Sequence, residues 1–211
     1  MLIDLHNHTS TLSDDSLITP EELVEGARDA GLDGVAITEH DYFSDHESLK
    51  RLGKRMDFLV IPGVEINTEE GHLLVFGLDE YVFGMHRASF VKKWLDRKGG
   101  AMIVAHPYRR RYKPELTGPE AYEKMLKKAC NNSIFSVVEG VEVCNGRGSE
   151  QENAFAQEMA RRLDLKGVAT SDAHQSHDIG KNATLFEREI GGLEDLIREL
   201  KAGRFRPHPL R

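Results

Sequence analysis

The sequence predicts an α/β protein built from repeated βα units, and two observations carry that prediction. Short β-rich apolar runs alternate with longer segments of helical spacing from residue 2 to residue 201. No internal repeat, low-complexity tract or linker-like stretch interrupts the alternation, so the units read as one domain over residues 1–211. Units of this kind build a largely parallel sheet, and five or more of them in one domain favour a barrel over two open sheets.

The elements follow in order. Leu2 to Leu5 reads as the first strand. Thr19-Pro20-Glu21-Glu22 gives a helix start, with a capping hydroxyl, proline at the first helical position and acids in the first turn. Leu23, Val24, Ala27 and Ala30 mark its apolar face, and Gly31 ends it. Gly34 to Thr38 is a strand, Asp45 to Lys54 a helix, and Phe58 to Ile61 a strand continuing past a proline through Val64 and Ile66. His72 to Phe76 is a further strand. Val91, Trp94 and Leu95 set a helix over residues 88–98, stopped by Gly99-Gly100, with a strand from Ala101 to Ala105. Helices over residues 119–129, 149–163 and 192–201 then alternate with strands at 140–143 and 167–170. Tyr108 to Gly118 is the longest irregular stretch and reads as an active-site loop.

Composition narrows the function classes. No apolar run approaches the roughly 20 residues needed to span a bilayer, and the first residues enter a strand with no secretory leader pattern, which points to the cytoplasm. Two cysteines, Cys130 and Cys144, are too few for a disulfide framework and read as reduced thiols. A formal net charge of −7 argues against a general nucleic-acid-binding surface, so no stable nucleic-acid complex is expected.

Candidate metal ligands fall at the strand ends. His6 and His8 follow the first strand, where side chains i and i+2 share a face and can present two imidazoles to one ion. Glu39-His40, Glu65, His106 and the Asp172-Ala173-His174 run follow later strands. In a βα barrel all strand C-termini open onto one face, so residues scattered over the chain converge there. One strand-end histidine is usually an ordinary semi-buried polar residue; a series at successive strand ends points to a metal centre. Arg109-Arg110-Arg111 stands just after His106 in an acidic chain, and arginine matches phosphate with two parallel donors. Arg109 and Arg110 are therefore candidate substrate clamps, and His177 is close enough to the last motif to line the cleft. His46, His86 and His208 read as solvated. Cys144-Asn145 ends a strand on the same face as the candidate ligands, with core filling the simpler role for Cys144.

His6-Asn7-His8-Thr9, Ser13-Asp14-Asp15 shortly before Pro20, Thr38-Glu39-His40-Asp41, Gly63-Val64-Glu65, Ala105-His106-Pro107 and Ser171-Asp172-Ala173-His174 together resemble the successive motifs of the polymerase-and-histidinol-phosphatase (PHP) family of metal-dependent phosphoesterases. The resemblance implies a distorted (β/α)7 TIM-like barrel and two to three divalent ions, zinc, manganese or iron. It implies that His6, His8, Glu65 and Asp172 hold one ion, that Glu65 bridges to a second held by His72 and His106, and that Asp15, His40 and His174 hold a third. Asp15 is preferred to the adjacent Asp14 for its distance to Pro20. His72 begins a strand where the other ligands end theirs, so its place rests on the resemblance.

The expected activity is hydrolysis of a small phosphate monoester, with nucleotide or short oligonucleotide phosphates among the candidates. A hydroxide bridging two ions, held by Glu65 and neighbouring ligands, would attack phosphorus in line. Two other readings are weighed against it. An amidohydrolase-type barrel also opens on His-x-His and would cleave C–N or C–O bonds, but Glu65 and the Asp172-x-His174 pair fit the phosphoesterase pattern better, and no strand end carries an obvious bridging lysine. A noncatalytic, metal-stabilised module supporting a partner protein need not keep nine ligating side chains.

Overall fold

The computed structural model describes residues 1–111 and 118–210. The strands are β1 (Leu2–Asp4), β2 (Gly34–Ile37), β3 (Leu59–Pro62), β4 (Val64–Asn67), β5 (His72–Phe76), β6 (Ala101–Val104), β7 (Gly140–Asn145), β8 (Gly167–Thr170), β9 (Asn182–Phe186) and β10 (Phe205–Pro209). The helices are α1 (Pro20–Asp29), α2 (His46–Met56), α3 (Ala88–Lys98), α4 (Pro119–Cys130), α5 (Glu150–Leu163) and α6 (Leu193–Ala202).

Local chemistry sets the helix ends. Thr19 with Glu22, and Ser149 with Glu152, form reciprocal capping boxes that satisfy otherwise orphaned backbone N–H groups. Asp45 caps α2 through the Glu47 N–H. Left-handed Gly99 and Gly203 end α3 and α6.

The strands form two five-stranded sheets, ordered β10-β9-β1-β2-β3 and β4-β5-β6-β7-β8. No closed ladder joins them among the described residues, so the architecture is a mixed α/β fold of two sheets, coarser than the barrel expected from the unit count. Isolated bridges, Asn7 with Ala173 and His40 with Glu65, cross between the sheets. Each bridge adjoins a residue with positive φ, Asp172 (53°) or Asp41 (50°), where the backbone turns out of an extended path.

Strand direction also departs from the expected parallel arrangement. β1–β2, β2–β3, β6–β7 and β7–β8 are parallel, as βα units require. β5 is antiparallel to both β4 and β6, and β9 is antiparallel to β1 and β10. Thr68 to Gly71 joins β4 to β5, a connection too short for a parallel crossover, so a hairpin is forced. The first residue of β5, His72, therefore lies at the rim where β6 ends, and its carbonyl accepts from the Ala105 N–H.

The buried residues explain how both faces of the strands are covered. On β5 and β6, Leu73, Val75, Met102 and Val104 face outward to Val91 and Leu95 of α3, Leu126 of α4 and Phe155 of α5. The alternate residues Leu74, Phe76, Ala101 and Ile103 face inward, with Ile3, Ala36, Ile61, Val168, Phe205 and the apolar face of α6 at Leu196 and Leu200. Leu23, Val24 and Ala27 of α1 and Leu49 and Leu52 of α2 cover Val35 and Ile37 of β2. Period-2 alternation with both faces buried is what turns these runs from amphipathic into near-continuously apolar.

Gly63 lets β3 bend into β4 two residues before Glu65. A Cβ there would lie 2.8 Å from both Phe76 Cε1 and Thr38 Cγ2. Gly63→Ala is expected to lower stability by about 1–3 kcal/mol through overpacking, read as a shift in urea midpoint; an unchanged midpoint would show that the bend has room to spare.

Candidate metal centre

The site is assembled around one carboxylate. Glu65, on β4, is fully buried, and its oxygens lie close to ring nitrogens of five histidines: His72 Nδ1 at 2.8 Å, His106 Nε2 at 2.9 Å, His40 Nδ1 at 3.0 Å, His6 Nε2 at 3.1 Å and His8 Nε2 at 3.3 Å. Burial alone would disfavour the ionised carboxylate, but the charge of His6 and hydrogen bonds from His106, His40 and His6 hold it well below the usual range.

β1 ends at Asp4, and the chain continues extended so that His6 and His8 face the same side, their Nε2 atoms 3.0 Å apart. Asn7, pointing the other way, donates to the Ala36 carbonyl at 3.1 Å and to the Asp4 carbonyl at 3.4 Å. Asp172 follows β8. Its Oδ1 lies 3.5 Å from Nε2 of both His6 and His8 and has no hydrogen-bond partner, while its Oδ2 accepts from Arg109 and from Asn145 Nδ2. The carboxylate thus has one oxygen held by the protein and one left facing imidazoles. His174 Nε2 lies 3.1 Å from Asp15 Oδ2, and His40 Nε2 lies 3.5 Å from the same oxygen. Asp15, and not its neighbour Asp14, is the carboxylate in these ion pairs.

Among the described residues, three sets of donor atoms are near enough to surround an ion: His6, His8 and Asp172; His6, Glu65 and His106; and His8, His40 and His174. Imidazole nitrogens and carboxylate oxygens suit zinc, manganese or iron, and the partnerless, buried Asp172 Oδ1 is the kind of atom a bound cation satisfies. The residues therefore fit divalent metals. The groupings share His6 and His8 between sets, where the resemblance assigns each to a single ion.

The other expected site residues are placed less uniformly. Arg109 is committed to Asp172 and to Asn145 Oδ1, 3.3 Å away. The Arg110 N–H donates to Glu152 at 2.5 Å, leaving its side chain uninvolved in that bond. His177 has a side chain 70% exposed and lies 3.4 Å from Asp178, away from the ligand cluster. Arg109, Arg110 and Arg111 line a cavity of about 240 Å³ that also includes His72, His106, Tyr108 and Phe135. The rest of the expected active-site loop, residues 112–117, lies outside the described residues.

Two buried carboxyls behind the ligands escape the sequence reading. Asp4 accepts from the backbone N–H groups of Ser171 (3.0 Å) and His6 (3.3 Å), and burial pushes its carboxyl up to about 7. Glu142, on β7, approaches His6 Nδ1 at 2.7 Å. Its signal was a lone acid between Val141 and Val143. What the sequence could not show is a β-bulge between Glu142 and Cys144. In a regular strand residues 142 and 145 face opposite sides; the extra residue brings Asn145 onto the Glu142 side, where its Nδ2 donates to Glu142 at 3.0 Å. Cys144 is only partly buried and donates to Asn182 Oδ1 at 3.3 Å.

Comparison with known proteins agrees with this construction. The PHP domain model matches residues 4–141, and the PHP-associated C-terminal model matches residues 150–205. A protein named "Probable phosphatase" from Thermoanaerobacter sp. (strain X514) is 26% identical over 99% of this chain and 95% of its own. The phosphoribosyl 1,2-cyclic phosphate 1,2-diphosphodiesterase of Eggerthella lenta is 36% identical over 38% of this chain and 32% of its own. A solved structure from Chromobacterium violaceum, described as an amidohydrolase with bound sulfate and no metal, shares the fold at a TM-score of 0.62, with 18% identity and 97% of each chain covered. Since the first of these models alone spans more than half of the residues and includes His6, His8, Glu65 and His106, the chain belongs to the PHP family of metal-dependent phosphoesterases.

Proposed function

We propose that this chain hydrolyses a small phosphate monoester, releasing inorganic phosphate and an alcohol, with nucleotide phosphates among the candidate substrates. The observation that carries the reading is the buried Glu65 carboxylate shared among five imidazoles beside the partnerless Asp172 Oδ1. We assign His6, His8 and Asp172 to one ion. Glu65 is shared between it and a second, with His72 and His106, and His40, His174 and Asp15 hold a third. When bound, such ions supply Lewis acidity and make water a nucleophile near neutral pH.

The chain's own residues do the positioning. Asn145 and Arg109 hold Asp172 Oδ2 so that Oδ1 faces the histidines. Arg109 and Arg110 line the cavity beside His72 and His106, where a guanidinium can meet non-bridging phosphoryl oxygens. Phosphoester relatives favour this chemistry over C–N cleavage, although the amidohydrolase neighbour shares the fold. Fold likeness at that identity carries no reaction.

We also read the two sheets as parts of one distorted seven-stranded barrel over residues 1–211. The β2–β3 pairing of Ile37 with Pro62 has an offset of 62 − 37 = 25, and the bridge of His40 with Glu65 has the same offset, 65 − 40 = 25. β3 and β4 thereby count as one bent strand, and the Asn7–Ala173 bridge brings β8 back beside β1. An inward apolar cluster contributed by both sheets supports this reading.

Metal-stripped protein is expected to release no phosphate and to regain turnover when reconstituted with manganese, zinc or iron, assayed separately on phosphomonoesters and a phosphodiester. A metal-loaded protein inert toward every ester would sink the proposal, and turnover of amides or lactones instead would favour the amidohydrolase. Glu65→Gln is expected to lose two ions together by elemental analysis and to lower turnover more than about 100-fold, beyond the usual cost of removing an outer-shell partner. Loss of a single ion would refute the bridge. Arg110→Ala is expected to reduce kcat/KM while bound metal persists, and Arg109→Ala, which also removes a donor that holds Asp172 Oδ2, is expected to reduce kcat/KM and to weaken metal binding; unchanged kinetics in both would reject the clamp.

A further inference from the structure

Glu142 is fully enclosed, and the proposed reaction has no use for it as a ligand. Four groups from four segments, three of them outside its own strand, converge on its carboxylate. Oε1 meets His6 Nδ1 at 2.7 Å and accepts from the Thr170 hydroxyl at 2.6 Å. Oε2 accepts from the His106 N–H at 2.6 Å and from Asn145 Nδ2 at 3.0 Å. Thr170 and Asn145 lie on β8 and β7, whereas His6 and His106 follow β1 and β6. Three of these groups are donors, so the carboxylate acts here as an acceptor, and the fourth contact is a good hydrogen bond only if His6 carries its proton on Nδ1.

That proton position has a consequence at the other side of the ring. With Nδ1 protonated, an ion that takes the place of any Nε2 proton would find the His6 lone pair on Nε2, the atom that faces Glu65, His8 and Asp172. A carboxylate behind an imidazole also raises its basicity and fixes its orientation. The same carboxylate anchors the backbone of His106, whose φ of 26° is unfavourable for a residue with a Cβ. We propose that Glu142 is a positioning residue that locks His6 in the Nδ1–H tautomer and, through the His106 N–H, sets two ligands of the metal centre at once. This rests on the metal-centre reading above.

The first test needs no substitution. In full-length zinc-loaded protein labelled with ¹⁵N-histidine, the His6 ring, assigned by its loss in His6→Asn, is expected to show its proton on Nδ1. A proton on Nε2 overturns the proposal. In Glu142→Gln, an amide replaces one acceptor oxygen, and zinc affinity in chelator competition is expected to fall about 10–100-fold for the ion that His6 holds, with kcat lowered more than KM is raised. Thr170→Val removes one contact to Glu142 but not the His6 contact, and is expected to keep the tautomer and near-native zinc affinity. A folded Glu142→Gln protein with the native zinc affinity refutes the role; so does a Thr170→Val loss equal to that of Glu142→Gln, which would mark Glu142 as general scaffolding. Failure of every ester substrate would remove the proposed function, yet the ring-proton measurement would still decide the tautomer.

Discussion

The structure depends on placing one ionised carboxylate, Glu65, out of water and among imidazoles. An unpaired buried carboxylate is expensive enough to neutralise or to unfold its surroundings. Here the cost is offset because each oxygen has several nitrogen neighbours, drawn from the segments after β1, β2 and β6 and from the start of β5. The arrangement constrains the backbone in turn. β4 must bend at Gly63 to bring Glu65 beneath the rim, β5 must run backward to offer His72 there, and His40 must approach closely enough to form its bridge with residue 65. The departures from a regular parallel barrel thus coincide with the places where this carboxylate acquires its partners.

What was readable in the sequence was mostly local or carried by repeated motifs. The cap at Thr19 was legible because its bonds close within a few residues. His6, His8, His40, Glu65, His106, Asp172 and His174 were legible as a set because they recur at the ends of apolar runs, whereas Asp15 and His72 entered only through the family resemblance. β9 and β10 were not. Asn182 to Phe186 owes its strand character to pairing with β1, nearly the whole chain away, and Pro207 and Pro209 in β10 argue against a strand unless it lies at a sheet edge, as this one does. The antiparallel direction of β5 was accessible from its short connection to β4, and it explains why a ligand can begin a strand. The bulge that turns Asn145 toward Glu142 left no trace in the residue pattern.

Two proposed ligands, His106 and Asp172, leave their strands in strained conformations. His106, Tyr108, Arg110 and Asp172 all have positive φ, a conformation that costs of order 1–3 kcal/mol per residue unless the surroundings dictate it. At His106 the surrounding dictate is the Glu142 carboxylate on its N–H; at Asp172 it is the pair of side chains, Arg109 and Asn145, on its Oδ2. Both supports come from elements other than the strand that carries the ligand. A sharp turn after a short strand would otherwise be free to relax, and the metal-facing atom would move with it. Outer residues therefore do more than finish a hydrogen-bond network: they hold two ligands in conformations that their own local sequence does not favour.

The same charges that make the cavity attractive to metals make it hostile to phosphate. Asp15, Glu65 and Asp172 carry negative charge toward one small volume, in a chain of net charge −7. At an effective dielectric constant near 20, two like charges 4 Å apart repel by about 4 kcal/mol, and a phosphate monoester brings up to two more negative charges. In the ion-free cavity the charge that His6 gains beside Asp172, Glu142 and Glu65 offsets part of that. Arg109 is paired with Asp172, so the two charges offset one another and only part of the guanidinium faces the cavity. Divalent cations would lower that repulsion, so under the proposed function metal loading and phosphate binding favour one another electrostatically before any bond is broken. In the proposed reaction the arginines beside His72 and His106 would act on an approach path whose far end the ions make less negative.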